Sequence, residues 1–335
     1  MTILVTGGAG FIGSHAIDRL IEKGENIVCV DNFNDFYNPQ IKEKNIRHNL
    51  SKNNFKLYKV DIENFEELKR VFEENSLTKI IHLAARAGVR PSIKNPAQYL
   101  KTNIAGTFNL LELSKIFGIK KFVFASSSSV YGNRQDDFFN ETDNTDKPIS
   151  PYAVTKKSGE LICYTYNSIY KIPVACLRFF TVYGPRGRVD MAPMKFTKLI
   201  DSNEEIEIYG DINMERDYTY VSDIVEGILV ALEKEFSYEI FNLGNSNPIK
   251  LITLITLIEK ELGKKAKLKY ISPQEGDVQK TFANINKAKE ILNYKPNISI
   301  EQGIKEMVAW YNINKKEAAI RDDRKKFVNF RYDLS

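Results

Sequence analysis

A tyrosine and a lysine four residues apart, Tyr152 and Lys156 in the segment PYAVTKK, could carry acid–base chemistry. At that spacing on a helix both side chains lie on one face. A free phenol is only about 0.1% ionised at neutral pH, but a nearby ammonium group favours the phenolate and makes tyrosine a usable general base. With 17 tyrosines, chance pairs occur, and Tyr311 with Lys315 is one. Tyr152 is the better candidate because Pro151 opens its predicted helix and a serine run precedes it.

That serine run, Ser126 to Ser129, follows the apolar segment KKFVFA and precedes VYG. The hydroxyls could simply be a polar exit from a strand into solvent. They also stand at the carboxyl end of a predicted strand, which is where open α/β sheets place their ligands. No carboxylate appears among them, so the segment offers hydrogen bonds but no strong base.

A glycine-rich turn, TGGAGFIG, contains Gly8, Gly10 and Gly13 at the G-x-G-x-x-G spacing, preceded by Gly7. A tight strand–helix turn is the simpler explanation of such glycines. Here the pattern follows a predicted strand and opens a helix, which lets the backbone approach a pyrophosphate at the helix N-terminus. The next strand ends in Asp31, where an acid binds the adenosine ribose diol. Because this carboxylate would repel a ribose 2′-phosphate, the sequence predicts NAD rather than NADP.

Asp61 ends the segment LYKVDI and has two interpretations. It could reach the adenine from a third strand, or it could cap the helix that begins at ENFEEL.

The elements that must position these residues alternate along the first half of the chain. Predicted helices span about 12–23, 65–72 and 96–117, and one begins at Tyr152. The strand segments are apolar on both faces, which indicates a sheet covered on both sides. Strand–helix alternation of this kind predicts an α/β fold with a doubly wound, parallel Rossmann sheet. The predicted strands are TILVT, NIVCV, FKLYKV, KIIHLAA, KKFVFAS and PVACLRF.

After Phe180 the pattern changes to shorter strands separated by loops rich in Gly, Pro and Asp. We expect residues 1–180, with returning segments at about 216–245, to form an NAD-binding Rossmann domain. Residues 181–215 and 246–335 are expected to form a smaller C-terminal substrate-binding lobe.

The composition limits which binding partners and which cellular compartment are expected. The chain has 335 residues and a formal charge of +5, from 48 Lys and Arg against 43 Asp and Glu, and the excess is spread out. We therefore expect no nucleic-acid partner. Three scattered cysteines form no disulfide framework and indicate a reducing compartment. No signal peptide and no membrane-spanning run is evident, and the histidines are too dispersed for a metal site. A cytoplasmic enzyme without metal is expected.

Five segments together, TGGAGFIG, HLAA, SSSSVYG, YAVTK and RDYTYVSD, resemble the extended short-chain dehydrogenase/reductase family over almost the whole chain. Members of that family bind NAD tightly and act on nucleotide-activated sugars. The resemblance implies that Tyr152 is the proton acceptor and donor, that Lys156 binds the nicotinamide ribose and tunes the phenol, and that Ser127 hydrogen-bonds the reacting oxygen. It also implies a homodimer formed through the helices near 96–117 and 152–170.

The resemblance implies two sets of ligand contacts. The expected NAD contacts are Gly7, Gly10, Phe11, Ile12, Gly13, Asp31, Asn32, Asp61, Ile62, Leu83, Ala84, Ala85, Asn103, Ser126, Tyr152, Lys156 and Phe179. The expected contacts to a UDP-sugar are Arg90, Ser127, Ser128, Ser129, Tyr152, Thr181, Arg188, Arg216 and Asp277.

The reaction type is indicated by Ser129. Dehydratases and decarboxylases that resemble this chain carry a glutamate immediately before VYG, where this sequence has Ser129. Elimination from a sugar 4-ketone requires a base that removes the C5 proton, and serine is a poor one. The sequence therefore favours epimerisation, in which hydride leaves C4 and returns to it.

The sugar is indicated by three further segments. FFTVYGPRGRVDMAP, AGVRPSI and PQEGDV resemble UDP-glucuronate 4-epimerases more than galactose-type enzymes. Thr181 and Gln274 stand where galactose-type epimerases usually have asparagine and arginine. Both departures weaken the interpretation as an epimerase of neutral hexoses.

An arginine has a physical role with such a sugar. Oxidising C4 of a hexuronate gives a β-keto acid, which loses CO₂ when its carboxylate stands perpendicular to the carbonyl plane. A bidentate guanidinium can hold the carboxylate against that geometry. We assign this role to Arg188, with Arg90 or the hydroxyls of Ser128 and Thr181 assisting, although loop arginines are often only surface residues.

Two expected contacts concern the nucleotide end of the substrate. Arg216 would neutralise the diphosphate, and its alternative is an ion pair with Asp217 or Glu215. Asp277 is expected near the nucleotide.

Three other functions stay open on the sequence. The first is a nucleotide-hexuronate decarboxylase or 4,6-dehydratase on the same scaffold, and the second is an epimerase of UDP-glucose and UDP-galactose. The third is a non-catalytic NAD-binding regulator, against which the intact set of Ser127, Tyr152 and Lys156 argues.

Overall fold

Twelve strands and twelve helices make up the described part of the chain. The computed structural model describes residues 1–134, 138–273 and 278–318, without the side chains of 316–318. The strands are β1 (Thr2–Thr6), β2 (Asn26–Val30), β3 (Phe55–Tyr58), β4 (Lys79–His82), β5 (Lys121–Ser127), β6 (Val174–Phe179), β7 (Thr181–Tyr183), β8 (Glu205–Tyr209), β9 (Glu215–Tyr220), β10 (Tyr238–Leu243), β11 (Pro248–Lys250) and β12 (Lys267–Ile271).

Helices are present at each of the four places predicted from the sequence, and others were not predicted, the helix Pro39–Ile46 among them. A π-helical turn, Leu100–Ala105, joins α5 to α6, so the long helical region predicted over 96–117 is one run with an internal irregularity. The helices are α1 (Phe11–Glu22), α2 (Pro39–Ile46), α3 (Phe65–Glu73), α4 (Val89–Lys94), α5 (Pro96–Tyr99), α6 (Gly106–Ile116), α7 (Pro151–Tyr170), α8 (Ala192–Asp201), α9 (Val221–Glu233), α10 (Leu251–Leu262), α11 (Asn286–Leu292) and α12 (Ile300–Ala318).

A seven-stranded sheet in the order β10-β6-β5-β4-β1-β2-β3 forms the centre, and all its pairings are parallel. Two apolar clusters cover its faces: Ile3 and Val5 of β1 belong to one and Leu4 to the other. The predicted doubly wound Rossmann sheet is confirmed. The strand order reverses between β1 and β4, and such a switch point opens a ligand crevice at the carboxyl ends of the strands.

The later part of the chain adds two small sheets. Strands β11, β9 and β7 form one, and β12 pairs with β8 in the other. Strand β10 lies within the expected returning segment and extends the central sheet beside β6. The division into a Rossmann domain and a substrate lobe stays a prediction.

A buried hydrogen-bond chain fixes the ends of β1 and β4. Thr107 Oγ1 donates to the Asn103 carbonyl (2.6 Å), so His82 Nε2 must donate to Thr107 Oγ1 (2.9 Å) and His82 Nδ1 accepts from Thr6 Oγ1 (2.7 Å). Burial lowers the pKa of His82 to about 3, so the imidazole is neutral. His82 is a packed strand residue whose hydrogen bonds link the ends of the two strands to α6.

Candidate active site

One cavity of about 370 Å³ lies at the carboxyl edge of the sheet. Its walls are the segments that directly follow β1, β2, β4, β5 and β6, so it occupies the switch-point crevice. Residues expected to contact cofactor and residues expected to contact substrate line the same space. These are Gly7, Gly10, Phe11, Ile12, Gly13, Asp31, Asn32, Ile62, Leu83, Ala84, Ala85, Ser126, Ser127, Ser128, Ser129, Tyr152, Lys156, Phe179, Thr181 and Arg188.

The glycine turn brings backbone to backbone at one end of the cavity. Gly7 has φ +67°, a left-handed conformation that favours glycine. A Cβ at Gly13 would lie 2.3 Å from the Gly7 carbonyl oxygen, so only glycine fits that position. In the described part of the chain no side chain caps the N-terminus of α1. Its first-turn amides are therefore available to an anionic ligand.

Asp31 is positioned by three donors. Its carboxylate accepts from the Ala9 amide (3.2 Å), the Phe33 amide (2.9 Å) and Lys42 Nζ (3.2 Å). The Lys42–Asp31 pair is buried, with side chains 8% and 4% exposed. A carboxylate offers about four acceptor sites, so one remains for a ribose hydroxyl. Lys42 partly neutralises the charge that would repel a 2′-phosphate, so the preference for NAD depends on the pair rather than on Asp31 alone.

Two expected cofactor contacts stand behind the cavity wall. Asp61 accepts a hydrogen bond from Asn32 Nδ2 (2.7 Å) and from the amide of Glu63 (2.9 Å), so it orients Asn32 and the turn before α3. Asn103 bonds both the amide and the carbonyl of Arg86, at 2.7 and 2.9 Å. It thereby supports the segment after β4 that lines the cavity.

Helix α7 presents the candidate catalytic pair. Its N-terminus is capped by the Ser150 hydroxyl, which accepts from the Ala153 amide (3.1 Å), and Pro151 occupies the first turn. Tyr152 in that turn and Lys156 one turn later both line the cavity. The pairing predicted from their spacing is therefore realised on the correct face.

The three candidate catalytic side chains contact one another or the same strand. Lys156 Nζ donates to the Ala125 carbonyl (2.7 Å) and lies 5.9 Å from the centroid of the Tyr152 ring. The Ser127 hydroxyl lies close enough to the phenol of Tyr152 to lower its pKa. Burial lowers the pKa of Lys156 to about 8.

The ionisation of Tyr152 is controlled by opposing effects. Burial raises the pKa of the phenol, while the nearby polar hydroxyl of Ser127 and the positive charge of Arg188 lower it. The sequence led us to expect the Lys156 ammonium to be the charge that favours the phenolate. In this structure Arg188 supplies that charge.

The serine run divides its functions. Ser126 Oγ donates to the buried Glu160 carboxylate (2.6 Å), so its hydroxyl braces the scaffold. Ser127 Oγ donates to Ser129 Oγ (3.1 Å) and accepts from the Ser129 amide (3.2 Å). Among the described residues that line the cavity, Asp31 at the far end is the single carboxylate. No strong base therefore stands beside the serines in the described part of the cavity.

Arg188 enters the cavity from the loop after β7. Its guanidinium pairs with Asp190 through Nε–Oδ1 (3.0 Å) and Nη2–Oδ2 (2.5 Å). The Arg188 Cζ atom lies 5.4 Å from the centroid of the Phe36 ring. The side chain is 18% exposed, so it is a half-buried cavity residue and not a fully exposed surface arginine.

The loop that carries Arg188 is anchored to α1. Arg186 Nη1 donates to Asp18 Oδ2 (2.7 Å), and His15 Nε2 donates to the Pro185 carbonyl (2.9 Å). Burial lowers the pKa of His15 to about 4, so its ring is neutral. The loop that carries Arg188 into the cavity is thereby fixed to the helix that begins at the glycine turn.

The remaining described residues expected to contact the substrate are not among the residues that line the cavity. Arg90 lies outside the cavity lining and stacks over the Tyr209 ring, with Cζ 4.3 Å from its centroid. Arg216 Nη1 donates to the carbonyls of Glu215 (2.9 Å) and Gln279 (3.2 Å). Asp277 and Gln274 lie outside the described residues.

Asp217, the expected ion-pair alternative for Arg216, instead accepts backbone amides from Asn245 (2.7 Å), Ser246 (3.0 Å) and Ala283 (3.1 Å). Burial raises its pKa to about 6. Asp217 thus fastens three segments of the chain together.

A protein-family model described as GDP-mannose 4,6 dehydratase matches residues 4–307 of the chain. The chain belongs to this family. It is an extended short-chain dehydrogenase/reductase family, so the resemblance carried by the five motifs is confirmed.

Relatives of this GDP-mannose 4,6 dehydratase family member cover nearly all of it. A UDP-glucuronate 4-epimerase of Thermodesulfobacterium geofontis is 47% identical over 312 residues, which is 93% of this chain and 96% of the relative. A UDP-glucuronic acid 4-epimerase of Bacillus cereus, solved with UDP-glucuronic acid and NAD, has a TM-score of 0.88 at 34% identity and covers 93% of this chain and 99% of its own. A UDP-glucose 4-epimerase of Thermotoga maritima, solved with UDP-glucose, has a TM-score of 0.87 at 36% identity, covering 94% and 100%.

The sequence analysis of this family member missed part of the cavity wall. We assigned no ligand contact to the segment NFNDFYNP, but its Phe36 and Tyr37 line the cavity. Lys42, Arg86 and Met191 line it as well. These aromatic residues could have been predicted to line the site, because they follow closely after Asp31, the acid expected to bind the adenosine ribose at the end of β2.

The residues of this family member fit an NAD molecule. A Cβ at Gly10 would have the Gly7 carbonyl oxygen at 3.1 Å and the Tyr37 hydroxyl at 3.8 Å as its nearest neighbours, so the cavity surface there is bare backbone. Asp31 has an acceptor site left for a ribose, and Lys156 lies where the cavity meets β5. The bare backbone of the glycine turn, the Asp31 carboxylate and Lys156 together offer the kinds of contact that a dinucleotide requires.

Two further features, a metal-binding cluster and a membrane-spanning helix, are absent from the described residues. Over the described ranges no group of three or more His, Cys, Asp or Glu side chains could hold a metal ion. Within the same part of the chain, no helix has the length and apolar character needed to cross a membrane.

Proposed function

We propose that the protein is an NAD-dependent 4-epimerase that interconverts UDP-glucuronate and UDP-galacturonate. Relatives named as UDP-glucuronate 4-epimerases, at up to 47% identity over 93% of this chain, support the proposal. One observation carries it: Arg188 lines the same cavity as Tyr152 and Ser127. A guanidinium beside the acid–base group matches a sugar that bears a carboxylate next to the carbon that reacts.

In the proposed mechanism Tyr152 removes the proton of the sugar 4-hydroxyl. Ser127 hydrogen-bonds the reacting oxygen, and Lys156 binds the nicotinamide ribose. A bound NAD⁺ would supply the acceptor and the donor for the C4 hydride, so that no net redox change would occur. Tyr152 then returns its proton to the 4-oxygen after the ketone has turned its other face. Positioning and preorganised hydrogen bonds carry most of this catalysis.

Arg188 protects the 4-keto sugar from losing CO₂. A two-point contact holds the carboxylate in the plane that prevents cleavage, which a lysine could not do as well. The cavity wall supports epimerisation over elimination, because among its described residues the single carboxylate, Asp31, stands at the ribose end. Ser128 and Thr181 line the cavity and are proposed to assist Arg188.

The remaining substrate contacts belong to the same proposal. Arg216 would neutralise the diphosphate, Asp277 would lie near the nucleotide, and Arg90 would approach the site from α4. The Arg90–Tyr209 stacking joins α4 to the end of β8, which supports a nucleotide position between those elements.

The test is product analysis by NMR after incubation with UDP-glucuronate and NAD⁺. UDP-galacturonate should form, and the same mixture should arise from UDP-galacturonate. A UDP-pentose product would identify a decarboxylase, a persistent 4-keto sugar would identify a dehydratase, and preferential turnover of UDP-glucose would identify a neutral-hexose epimerase. Full activity of the variant Tyr152→Phe would contradict the assigned chemistry.

We also propose a homodimer that forms through α6 and α7. Large apolar side chains are exposed on these neighbouring helices, including Phe108 (47%), Leu161 (55%) and Tyr164 (55%). A second copy of the chain would bury them. Sedimentation velocity should give a dimer, and Leu161→Glu with Tyr164→Glu should give a monomer. Ile291→Glu, at an exposed apolar residue of α11, should remain dimeric; a monomeric wild type would contradict the proposal.

The compartment proposed for the enzyme is the cytoplasm. The three cysteines are free and buried in the fold, which suits a reducing environment. Fractionation of cells that produce the protein at natural levels should place its activity with cytoplasmic enzymes.

A further inference from the structure

Asp190 contacts Arg188 in the way that a uronate carboxylate would. Two nitrogen atoms of one guanidinium edge each meet one carboxylate oxygen, at 3.0 and 2.5 Å. Asp190 comes from the same loop, two residues further along the chain. Its side chain is 42% exposed, whereas that of Arg188 is 18% exposed.

We propose that Asp190 is an internal counter-carboxylate that exchanges with the carboxylate of the substrate on Arg188. The inference rests on the proposed function and deepens it, because it names a specificity-determining residue for the uronate. Asp190 pairs with the guanidinium when the sugar carboxylate is away, and the sugar carboxylate displaces Asp190 when it binds.

Exchange follows from charge and exposure. Two carboxylates on one guanidinium in a partly desolvated site would repel each other strongly. Arg188 is the more enclosed partner, since its side chain is 18% exposed and Phe36 lies beside it. Asp190 is the more exposed partner and can turn toward water. Its displacement therefore leaves an ion in solvent and not an unpaired ion in the protein.

Exchange also has a use during turnover. To present its other face, the 4-keto sugar must rotate, and its carboxylate must leave the guanidinium while it does so. An unpaired buried guanidinium would oppose that release. Asp190 pairs with Arg188 while the sugar rotates, so the guanidinium keeps a counter-ion after the sugar carboxylate has left.

The affinities of variants for UDP-glucuronate and UDP-glucose test whether Asp190 competes with the sugar carboxylate. In the Tyr152→Phe background with NAD bound, chemistry is suppressed and affinities can be measured by calorimetry. Asp190→Asn should bind UDP-glucuronate about tenfold more tightly and UDP-glucose, which has no carboxylate, with less than a twofold change. Asp35→Asn is the matched control: Asp35 is an exposed acid next to Phe36, so it tests whether a general change of charge suffices, and we expect little effect. In an Arg188→Gln background, Asp190→Asn should have no effect.

The outcomes distinguish the two levels of inference. If Arg188→Gln leaves the affinity for UDP-glucuronate unchanged, Arg188 does not recognise the carboxylate and the proposed function loses its main support. If Arg188→Gln weakens UDP-glucuronate binding but Asp190→Asn weakens it too or leaves it unchanged, the exchange is wrong while the function stands.

Kinetics supply a readout that a purely structural role would not give. In the otherwise wild-type enzyme, Asp190→Asn should lower KM for UDP-glucuronate and also lower kcat, because the carboxylate is held too firmly during rotation. Absorbance at 340 nm should show a larger steady-state fraction of reduced cofactor. A fall in kcat with an unchanged or higher KM would overturn the exchange.

Discussion

The guanidinium of Arg178 and the carboxylate of Glu160 form a two-point ion pair in the interior, with Nε–Oε1 at 2.8 Å and Nη2–Oε2 at 2.9 Å. Each side chain is 1% exposed. Ser126 Oγ donates to the same carboxylate, and Arg178 Nη1 donates to the Tyr131 hydroxyl (2.9 Å). The pair therefore links β6, the end of β5 and α7, which are the elements that position Ser127, Tyr152 and Lys156.

Glu160→Gln should destabilise the protein by about 3–5 kcal/mol, because it leaves the Arg178 charge buried without a counter-ion. Replacing both residues by methionine should recover much of that loss, since it removes the buried charge as well. Urea unfolding measures both. Glu226→Gln breaks the exposed pair with Arg19 and should cost less than about 1 kcal/mol. Equal losses for the buried and exposed pairs would contradict our account.

Tyr152→Phe should lower kcat by about 10²–10⁴-fold, the usual contribution of a positioned acid–base group. Binding of NAD and UDP-sugar should persist, because the ring and its packing remain. Tyr311→Phe is the matched control. Tyr311 belongs to the second tyrosine–lysine pair of the sequence, and its hydroxyl donates to Asp201 (3.1 Å). Activity lost equally in both variants would mean that the phenol of Tyr152 has no special role.

Arg188→Gln should weaken UDP-glucuronate binding by about tenfold or more and should yield some UDP-pentose, because the β-keto acid is no longer held in its stable plane. Product NMR and calorimetry test the two effects. Arg19→Gln is the control, since Arg19 forms an exposed pair with Glu226 and lies outside the cavity lining, and it should give no pentose. An Arg188→Gln enzyme with full activity and no pentose would remove Arg188 from the mechanism.

Lys156 should titrate with a pKa of about 8, because burial disfavours its ammonium. Binding of the nicotinamide ribose needs the charged form, so activity should fall as pH rises through about 8. The contribution of Lys156 to the free energy of unfolding changes with pH in the opposite direction to activity. The folded-state pKa lies below the usual 10.5, so the unfolded chain binds more protons between about pH 8 and 10.5. The contribution of this group to the free energy of unfolding therefore rises with pH in that window.

NMR titration of isotope-labelled lysine, assigned by comparison with Lys156→Arg, measures this pKa directly. A value near 10.5 in the folded enzyme would show that burial does not act on Lys156 as we describe.

The sequence predicted those parts of the fold and site that depend on local pattern. Apolar runs in alternation with helical patterns located six of the seven strands of the central sheet, and the seventh, β10, falls in the expected returning segment. The glycine spacing located the turn before α1. The pair Tyr152 and Lys156 could be found because one helical turn separates them. Arg188 could be proposed because a known chemistry requires such a charge.

Contacts between distant segments were not predictable in the same way. Arg178 stood in an apolar run, and nothing local paired it with Glu160, 18 residues away. Lys42 gave no signal of its contact with Asp31, since helix α2 had not been predicted. The expected effect of Lys156 on the Tyr152 phenol was instead found for Arg188, because burial and loop position decide which charge acts.

The anchoring of the arginine loop to α1 has a consequence for the sequence of binding events. The helix that would receive the cofactor pyrophosphate also supports, through Asp18 and His15, the loop that would receive the sugar acid. Any change in affinity that occupancy of one place causes at the other is equal in both directions. We expect an ordered enzyme: dinucleotide first and retained over many turnovers, uronate second, and weak sugar capture by protein stripped of its dinucleotide.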